Sequence, residues 1–287
     1  VTRYVYVNGD YVEADKASIS IFDRGFLFAD GVYEVTAVLN GRMIDFAPHV
    51  QRLRSSMAKL DMTLDLDDAA IEDIHHGLME YNRLENGVVY IQVTRGVAER
   101  DFAYPGEAQP TVIAFTQPRD YFGDRNAQKG VSIVTTPDLR WLRRDIKSIA
   151  LLPQAMGKQE ANKRGAFEAW MVEDGLITEG TSSSAFIVTE QGVIVTRALS
   201  REILPGLTRS RLLSLIEAER LPVDQRPFSV EEALEAREAF LTSASSFVLP
   251  VVSIDEHPVG TGKPGPIAQR LRARYLDFAA PAEGAGS

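Results

Sequence analysis

Apolar and polar positions alternate through "YVYVNGDYV" (residues 4–12), and the alternation breaks at Asn8-Gly9. That dipeptide readily supplies the two positive-φ residues of a tight hairpin turn, so the stretch predicts two short antiparallel strands. "VYEVTAVLNGRMIDF" (32–46) repeats the arrangement around Asn40-Gly41. The period then changes. In "APHVQRLRSSMAKLDM" (47–62), Val50, Leu53, Met57 and Leu60 recur at three- and four-residue steps, which predicts an amphipathic helix. Residues 67–83 predict a second helix. After Asn86-Gly87 come two strand patterns, "VVYIQVTRG" (88–96) and "TVIAFTQP" (111–118).

The polar run "RDYFGDRNAQKG" (119–130) has no clear period and two glycines, which suits a connection between domains. The expected organisation is a smaller N-terminal domain over 1–118, a linker over 119–129 and a larger domain over 130–287. The second part opens with the strand "VSIVTTP" (131–137). A helix is expected from about Leu152 to Arg164, with Pro153 in its first turn and Gly165 just past its end. "FEAWMVEDGLITEG" (167–180) and "AFIVTEQGVIVT" (185–196) read as hairpins. "PGLTRSRLLSLIEAERL" (205–221) reads as a helix, "SVEEAL" (229–234) as a short helix capped by Ser229, and "EAFLTSASSFVLPVVSI" (238–254) as a strand pair or a strand and loop. The small-residue tail "FAAPAEGAGS" (278–287) is expected to fray. No internal repeat is visible. Strand-rich and helical pieces are grouped as in two α+β halves, unlike a doubly wound sheet.

Three places in this pattern carry candidate chemistry. In "RRDIKSIALL" (143–152), Lys147 enters an apolar run with Ser148 as its polar company. Burying an ammonium is costly, so such a lysine either snorkels to water or is a desolvated nucleophile suited to a Schiff base. In "LITEGTSSSAF", Glu179 ends a strand pattern beside small polar residues. It is either a turn residue or a carboxylate facing a protonated ring nitrogen. In "LPGLTRSRL", a Gly-x-Thr turn opens a helix; Thr208 caps the helix, or the free N–H groups there hold a phosphate. "LTSASSF" (241–247) offers a similar nest of small residues, and Arg52 could add a permanent charge to that phosphate. A nucleophilic lysine, a carboxylate for a ring nitrogen and a phosphate cup together describe a site for pyridoxal 5′-phosphate.

Composition narrows the rest. The chain has 287 residues and a net charge of -9, which argues against nucleic acid or an anionic membrane surface as the main partner. There is no cysteine, so thiolate metal sites and disulfides are excluded, and a reducing, cytoplasmic setting fits. The four histidines (His49, His75, His76, His257) have no ligand spacing, so no metal is expected. The opening stretch lacks a signal-peptide pattern, and no apolar run of about 18 residues occurs.

"DRGFLFADGVYEV", "PHVQRLRSS", "DIKSIALL", "KQEANKRG", "TEGTSSSAF", "LPGLTRSRL" and "FLTSASSFVLPV" fall in the order seen in the fold-type IV pyridoxal-phosphate enzymes, and the chain resembles that family over roughly residues 3–277. The resemblance implies a two-domain α+β fold with a barrel-like sheet in the larger C-terminal domain, the cofactor between the domains, and a homodimer. It implies that Lys147 forms the Schiff base and acts as the base at the substrate Cα, and that Glu179 pairs with the pyridine nitrogen. It places Arg52, Ser183, Leu207, Thr208, Ala244 and Ser245 among the cofactor-binding residues, with Leu207 and Ala244 acting through their backbone N–H groups. Tyr33 lines the substrate side.

Within the family, "RWLRRDIKS" and "TEGTSSSAF" are most similar to the D-amino-acid aminotransferases. "VTRGVAERDFAYP" (93–105) resembles their substrate-carboxylate loop, in which Arg100 binds the carboxylate and reaches the partner subunit's site. Phe102 departs from the pattern, which has histidine there; a phenyl ring donates no hydrogen bond to a carboxylate. The implied reaction is amino transfer from a D-amino acid such as D-alanine or D-glutamate to a 2-oxo acid such as 2-oxoglutarate or pyruvate. The alternatives are a branched-chain L-amino-acid aminotransferase, then an (R)-amine transaminase or an aminodeoxychorismate lyase.

Overall fold

In the computed structural model, which describes residues 2–280, Asn8 and Gly9 both take positive φ, and their turn joins β1 (Tyr4–Val7) to β2 (Asp10–Glu13). The short helix α1 (Arg24–Phe28) follows, its first turn capped by the Asp23 side chain on the Gly25 N–H. Asn40 and Gly41, again at positive φ, join β3 (Gly31–Leu39) to β4 (Arg42–Met43). Next come α2 (Phe46–Ala58) and α3 (Asp68–Asn82), then β5 (Gly87–Thr94) and β6 (Thr111–Pro118). The helix α2 stops short of the expected Met62 because the chain turns through Asp61 at positive φ.

These strands form one antiparallel sheet in the order β2-β1-β6-β5-β3-β4. Period-two alternation divides its residues between two faces. Val32, Val38, Val89, Ile91, Val93, Val112 and Ala114 meet Val50, Leu53 and Met57 of α2 and Ile71, Ile74 and Leu78 of α3 in a buried core. Burying each of the larger side chains contributes about 1.5–3 kcal/mol. The opposite face carries Val5, Val7, Tyr33, Val35, Tyr90, Ile113 and Phe115, all half-buried.

The chain divides into two compact units, the first comprising the residues up to Asp120 together with Ile146–Ala150, the second Tyr121–Asp145 and the chain from Leu151 onward. The stretch 119–129, read from the sequence as a connection, is largely built into the second unit. Tyr121 is buried and stacks on Phe247 with ring centroids 4.2 Å apart, and α4 (Arg125–Lys129) follows it. The second unit continues with β7 (Val131–Pro137), α5 (Leu152–Lys163), β8 (Glu168–Glu173), β9 (Leu176–Gly180), β10 (Ser184–Val188) and β11 (Ile194–Thr196). Then come α6 (Leu207–Ala218), β12 (Val223–Gln225), α7 (Val230–Leu234), β13 (Glu238–Ser243), β14 (Phe247–Ile254), β15 (His257–Pro258) and α8 (Pro266–Ala279). The sequence pattern did not suggest α1 or α8. Phe278 and Ala279 belong to α8, and the rest of the expected frayed tail, from residue 281, lies outside the described residues.

Its sheet runs β12-β11-β10-β13-β14-β7-β8-β9, with β15 on β14. The expected hairpins β8–β9 and β10–β11 are antiparallel, residues 238–254 form the antiparallel pair β13–β14, and β7 lies parallel between β14 and β8. At the end of the sheet the chain passes from β9 directly into β10, the Gly180 N–H donating to the Ser183 carbonyl at 2.8 Å, and β9 packs beside β10. The sheet therefore curls back on itself in the barrel-like form that the resemblance implied. Both units are α+β.

Candidate active site

In the first unit the site is built on β3 and on the segment 146–150. That segment docks on the start of β3: the Tyr33 N–H donates to the Lys147 carbonyl at 3.0 Å and the Ile149 N–H to the Gly31 carbonyl at 3.1 Å. The Lys147 N–H donates to Ser56 Oγ on α2 at 3.2 Å, and Ile146 drops into the core. The apolar run around Lys147 is thus anchored by its neighbours. Lys147 itself is only half-buried, with its Nζ 4.1 Å from the centre of the Tyr33 ring. Tyr33 stacks on Tyr90 (5.3 Å between centroids) and Tyr90 on Phe115 (4.6 Å), so the ring under the amine is held by an aromatic ladder across three strands.

One residue along β3, Glu34 faces the helices and is 1% exposed. Arg52 donates to it from Nε at 2.7 Å and Nη2 at 2.9 Å, and His49 contacts it through Nδ1 at 2.7 Å. His49 and Arg52 are three apart on α2 and so share a face. Burial alone would raise the Glu34 carboxyl, but the Arg52 charge and the hydrogen bonds from Arg52 and His49 hold it well below the usual carboxylate range. Burial pushes His49 down despite the Glu34 contact, and its Nδ1 lies against the carboxylate. Arg52 is therefore a fixed charge, not a solvated one. Glu34 and His49 were missed from the sequence, although Glu34 is the one charge inside "VYEVTAV" and a lone charge in an apolar strand asks for a buried partner.

The loop 95–104 is held by a second polar cluster, also missed. Buried Arg24 and Arg95 share Asp30, at 2.8 Å each from Nε; Arg24 Nη1 also donates to the Asp101 carbonyl at 2.6 Å, and Arg95 lies 3.5 Å from the Tyr104 ring centre. On the loop so fixed, the Arg100 guanidinium lies 5.4 Å from the Phe28 ring and 5.6 Å from that of Phe102. Phe102 is 79% exposed.

In the second unit, Glu179 near the end of β9 is buried. Its Oε1 accepts from Arg140 Nη1 and, at 3.1 Å, from the Leu204 N–H. Oε2 accepts no hydrogen bond among the described residues. Burial pushes this carboxyl up, against the opposing pull of Arg140 and the Leu204 N–H. Beyond it, the turn 181–183 wraps the buried Glu168 carboxylate, which accepts from Thr181 Oγ1 (2.9 Å), Ser182 N–H (2.8 Å), Ser182 Oγ (2.7 Å) and Ser183 Oγ (2.6 Å). The Ser183 hydroxyl is thus committed to Glu168. A Cβ on Gly180 would overlap Ser183 Oγ, so the turn needs glycine there.

The N-cap of α6 is Gly206, with no side-chain cap, so Thr208 does not cap the helix. A Cβ on Gly206 would lie 2.7 Å from Ser184 Oγ. The first-turn N–H groups of Leu207 and Thr208 have no intrahelical acceptor, and they carry the positive end of the helix dipole. Ala244 and Ser245 form the tight turn between β13 and β14. The Ala244 carbonyl accepts from Tyr121 Oη at 3.1 Å, and Ser245 Oγ lies 3.2 Å from Ser243 Oγ. In the first unit Lys147 thus meets Tyr33, Arg52 is bonded to the neighbouring Glu34, and Arg100 stands on its own loop. The second unit holds Glu179, Ser183, the α6 N-terminus and the 244–245 turn.

These features suit pyridoxal 5′-phosphate. A buried glutamate with one carboxylate oxygen free of donors among the described residues fits a ring N–H, uncapped helix N–H groups fit a phosphate, and an amine held over an aromatic ring fits an aldehyde partner. Among the described residues no group of histidine, aspartate and glutamate is arranged to hold a metal ion, and no helix is long and apolar enough to cross a membrane.

Residues 31–254 match the family model for amino-transferase class IV. The chain is similar to a D-alanine aminotransferase of Bacillus licheniformis, 40% identical over 93% of this chain and 94% of that one. It is also similar to one of Staphylococcus aureus, 36% identical over 96% and 97%. Among solved structures it resembles a T.th. branched-chain amino acid aminotransferase with pyridoxamine 5′-phosphate, with a TM-score of 0.91, 23% identity, and 97% and 94% of the two chains covered. The Escherichia coli branched-chain amino acid aminotransferase gives a TM-score of 0.89 at 20% identity, with 99% and 98% covered. At such identities the structural likeness speaks for the fold.

Proposed function

The chain belongs to the class IV amino-transferases, and from that premise we propose that it is a pyridoxal 5′-phosphate-dependent aminotransferase moving the amino group of a D-amino acid, of the D-alanine or D-glutamate type, to a 2-oxo acid. The observation that carries the D-amino-acid reading is near-full-length identity of 36–40% to D-alanine aminotransferases, against 20–23% to the branched-chain enzymes that share the fold.

Bound pyridoxal phosphate supplies an electron sink for the charge left when a proton leaves the substrate Cα. The chain's residues do the rest. The Lys147 amine would hold the cofactor covalently and, as a free base, would take up and hand on the substrate Cα proton. The stacked Tyr33 ring below it fixes where that amine stands and lines the substrate side. Glu179 holds a proton at the ring nitrogen through Oε2. Arg52, locked by Glu34, and the N–H groups of Leu207, Thr208, Ala244 and Ser245 bind the phosphate, with Ser183 shaping the adjoining turn through Glu168.

Arg100 binds the substrate carboxylate as a bidentate fork. Phe102, unable to donate, braces that guanidinium by its ring face. We place Arg100 in the partner subunit's site of a homodimer. Ile19, Ile21, Phe22, Phe26 and Phe102 are all exposed in the first unit, which supports burial against a second copy. A cytoplasmic location is part of the same proposal and rests on the cysteine-free composition.

The test offers the cofactor-loaded protein D-alanine, L-leucine, (R)-1-phenylethylamine and aminodeoxychorismate, with 2-oxoglutarate as acceptor where one is needed. D-Alanine turnover is expected to dominate; turnover of L-leucine without D-alanine overturns the D-specific reading. Borohydride is expected to leave a pyridoxyl group on Lys147, and a protein giving no adduct after incubation with pyridoxal phosphate overturns the mechanism.

A further inference from the structure

Glu179 does not stand alone. Arg140, whose side chain is only 6% exposed, donates from Nη1 to Glu179 Oε1 and turns the rest of its guanidinium to Asp138. Arg140 Nη2 reaches Asp138 Oδ2 at 2.7 Å and Nε reaches Oδ1 at 3.0 Å, while the Arg140 backbone N–H donates to the same Oδ1 at 3.1 Å. Asp138 is itself fixed. Thr178 Oγ1, next to Glu179 on β9, donates to its Oδ2 at 2.7 Å, and Arg144 Nη1 lies 3.3 Å from that oxygen. Arg144 then forks onto Glu173 at 2.9 Å through each Nη. Carboxylates and guanidiniums alternate from Glu173 through Arg144, Asp138 and Arg140 to Glu179. Arg209, also buried, donates to the Arg197 carbonyl and to Gln225, so Arg140 is the arginine bonded to Glu179.

The fork onto Asp138 leaves Arg140 one orientation, and that orientation delivers Nη1 to one oxygen of Glu179. The Leu204 N–H falls on the same oxygen. Both donors are on Oε1, so the carboxylate plane is fixed and Oε2 is free to accept. A buried carboxyl without these donors would take up a proton. It would then be a poor partner for a ring nitrogen that has to keep one.

We propose that Arg140 is a positioning residue of the active site: held by Asp138, it locks Glu179 through Oε1 and presents Oε2 as the acceptor of the ring-nitrogen proton. This rests on the reading of Glu179 as the partner of the cofactor ring. Arg140 touches neither substrate nor cofactor; it acts through Glu179 alone.

The experiment loads native protein and the variants Arg140→Gln, Arg140→Lys, Glu179→Gln and the Arg140→Gln/Glu179→Gln pair with ring-15N pyridoxal phosphate. It reads the 15N shift, the borohydride adduct on Lys147, and kcat and KM for D-alanine. Native protein is expected to show a protonated ring nitrogen. Arg140→Gln is expected to move the shift toward neutral pyridine and to lower kcat on the order of 10- to 100-fold, as loss of a supporting hydrogen bond to a working ligand does, with KM little changed. The paired variant is expected to be no worse than Glu179→Gln alone, because both changes act on one carboxylate. Arg140→Lys, which keeps the charge without the fork, is expected to restore shift and kcat only in part; should Arg140→Gln not fold, this variant reads the same effect. A native-like shift and kcat in either Arg140 variant, or losses that multiply in the pair, overturn the proposal. A native protein that forms no Lys147 adduct instead overturns the functional reading on which it rests.

Discussion

Glu34 is a charged group in an interior of valine, leucine and isoleucine, and it is tolerable there because Arg52 and His49 bring its hydrogen bonds with them. Removing one partner of such a pair leaves the other charge buried and uncompensated, which costs about 3–5 kcal/mol. Glu34→Gln should therefore lower unfolding free energy by roughly that amount in urea denaturation and weaken cofactor retention through Arg52. A second buried group sets a pH limit. Burial pushes His75 down from 6.5 to about 4, although the Ile71 carbonyl accepts from its Nδ1 and Thr36 Oγ1 lies 3.4 Å from Nε2. The unfolded chain takes up this proton near pH 6.5 and the folded chain only near pH 4, so the stability is present above pH 6.5 and is lost as the pH falls through that window. The loss at pH 4 is on the order of 3 kcal/mol, and His75→Gln should flatten this part of a stability profile measured between pH 7 and 4. Lys147, Glu179 and the Gly-x-Thr turn stood out as candidates from residue type and neighbours, each with a plain structural reading beside it. Glu34 and the Asp138–Arg140 pair did not, because their bonds to Arg52 and His49, and to Thr178 and Glu179, join residues 15 or more apart in the chain.

At the scale of elements, legibility followed the strength of local chemistry. Asn8-Gly9 and Asn40-Gly41 fixed their hairpins, and β6 and β7 occupy the residues that their apolar patterns marked. The short α7 was found through its cap. Ser229 Oγ accepts from the Glu232 N–H at 3.2 Å, and the Glu232 carboxylate accepts from the Ser229 N–H at 3.1 Å. With five residues, the helix depends on that reciprocal pair. Ser229→Ala is expected to cost about 1 kcal/mol, read as a lowered melting midpoint. The helix α8 went unseen because its buried stripe is Ala268, Leu271, Arg272, Tyr275 and Ala279, with an arginine where a periodicity reading expects an aliphatic. Arg272 belongs there only because the carbonyls of Tyr121, Ser246 and Val248 accept its N–H groups at 2.7–2.8 Å. No local pattern announces those acceptors.

For the whole molecule, the ordered motifs and the grouping of strands and helices carried the α+β class and the barrel-like sheet. The parallel placement of β7 between β14 and β8 could not be read, since β14 comes from a distant part of the chain and no local pattern links it to β7. The proposed exchange of Arg100 between subunits has a whole-molecule test. Mixed dimers of a Lys147→Ala chain and an Arg100→Ala chain rebuild one intact site if Arg100 acts in the partner, and equal random mixing then restores about a quarter of native activity. If Arg100 serves its own subunit, the mixture stays as inactive as its parents.

The docking of residues 146–150 on β3 also bears on synthesis. The first unit is not finished when the chain reaches Asp120; the rung beside Gly31 and Tyr33 arrives only after β7 and the loop behind it have been made. A nascent chain ending anywhere before residue 146 would present the start of β3 with that edge unpaired, and its amine-bearing pentapeptide would still be missing. The last piece of the first unit to leave the ribosome is thus the one carrying Lys147. Cutting or transplanting either unit at a single point in the gene would separate the lysine from the strand that holds it.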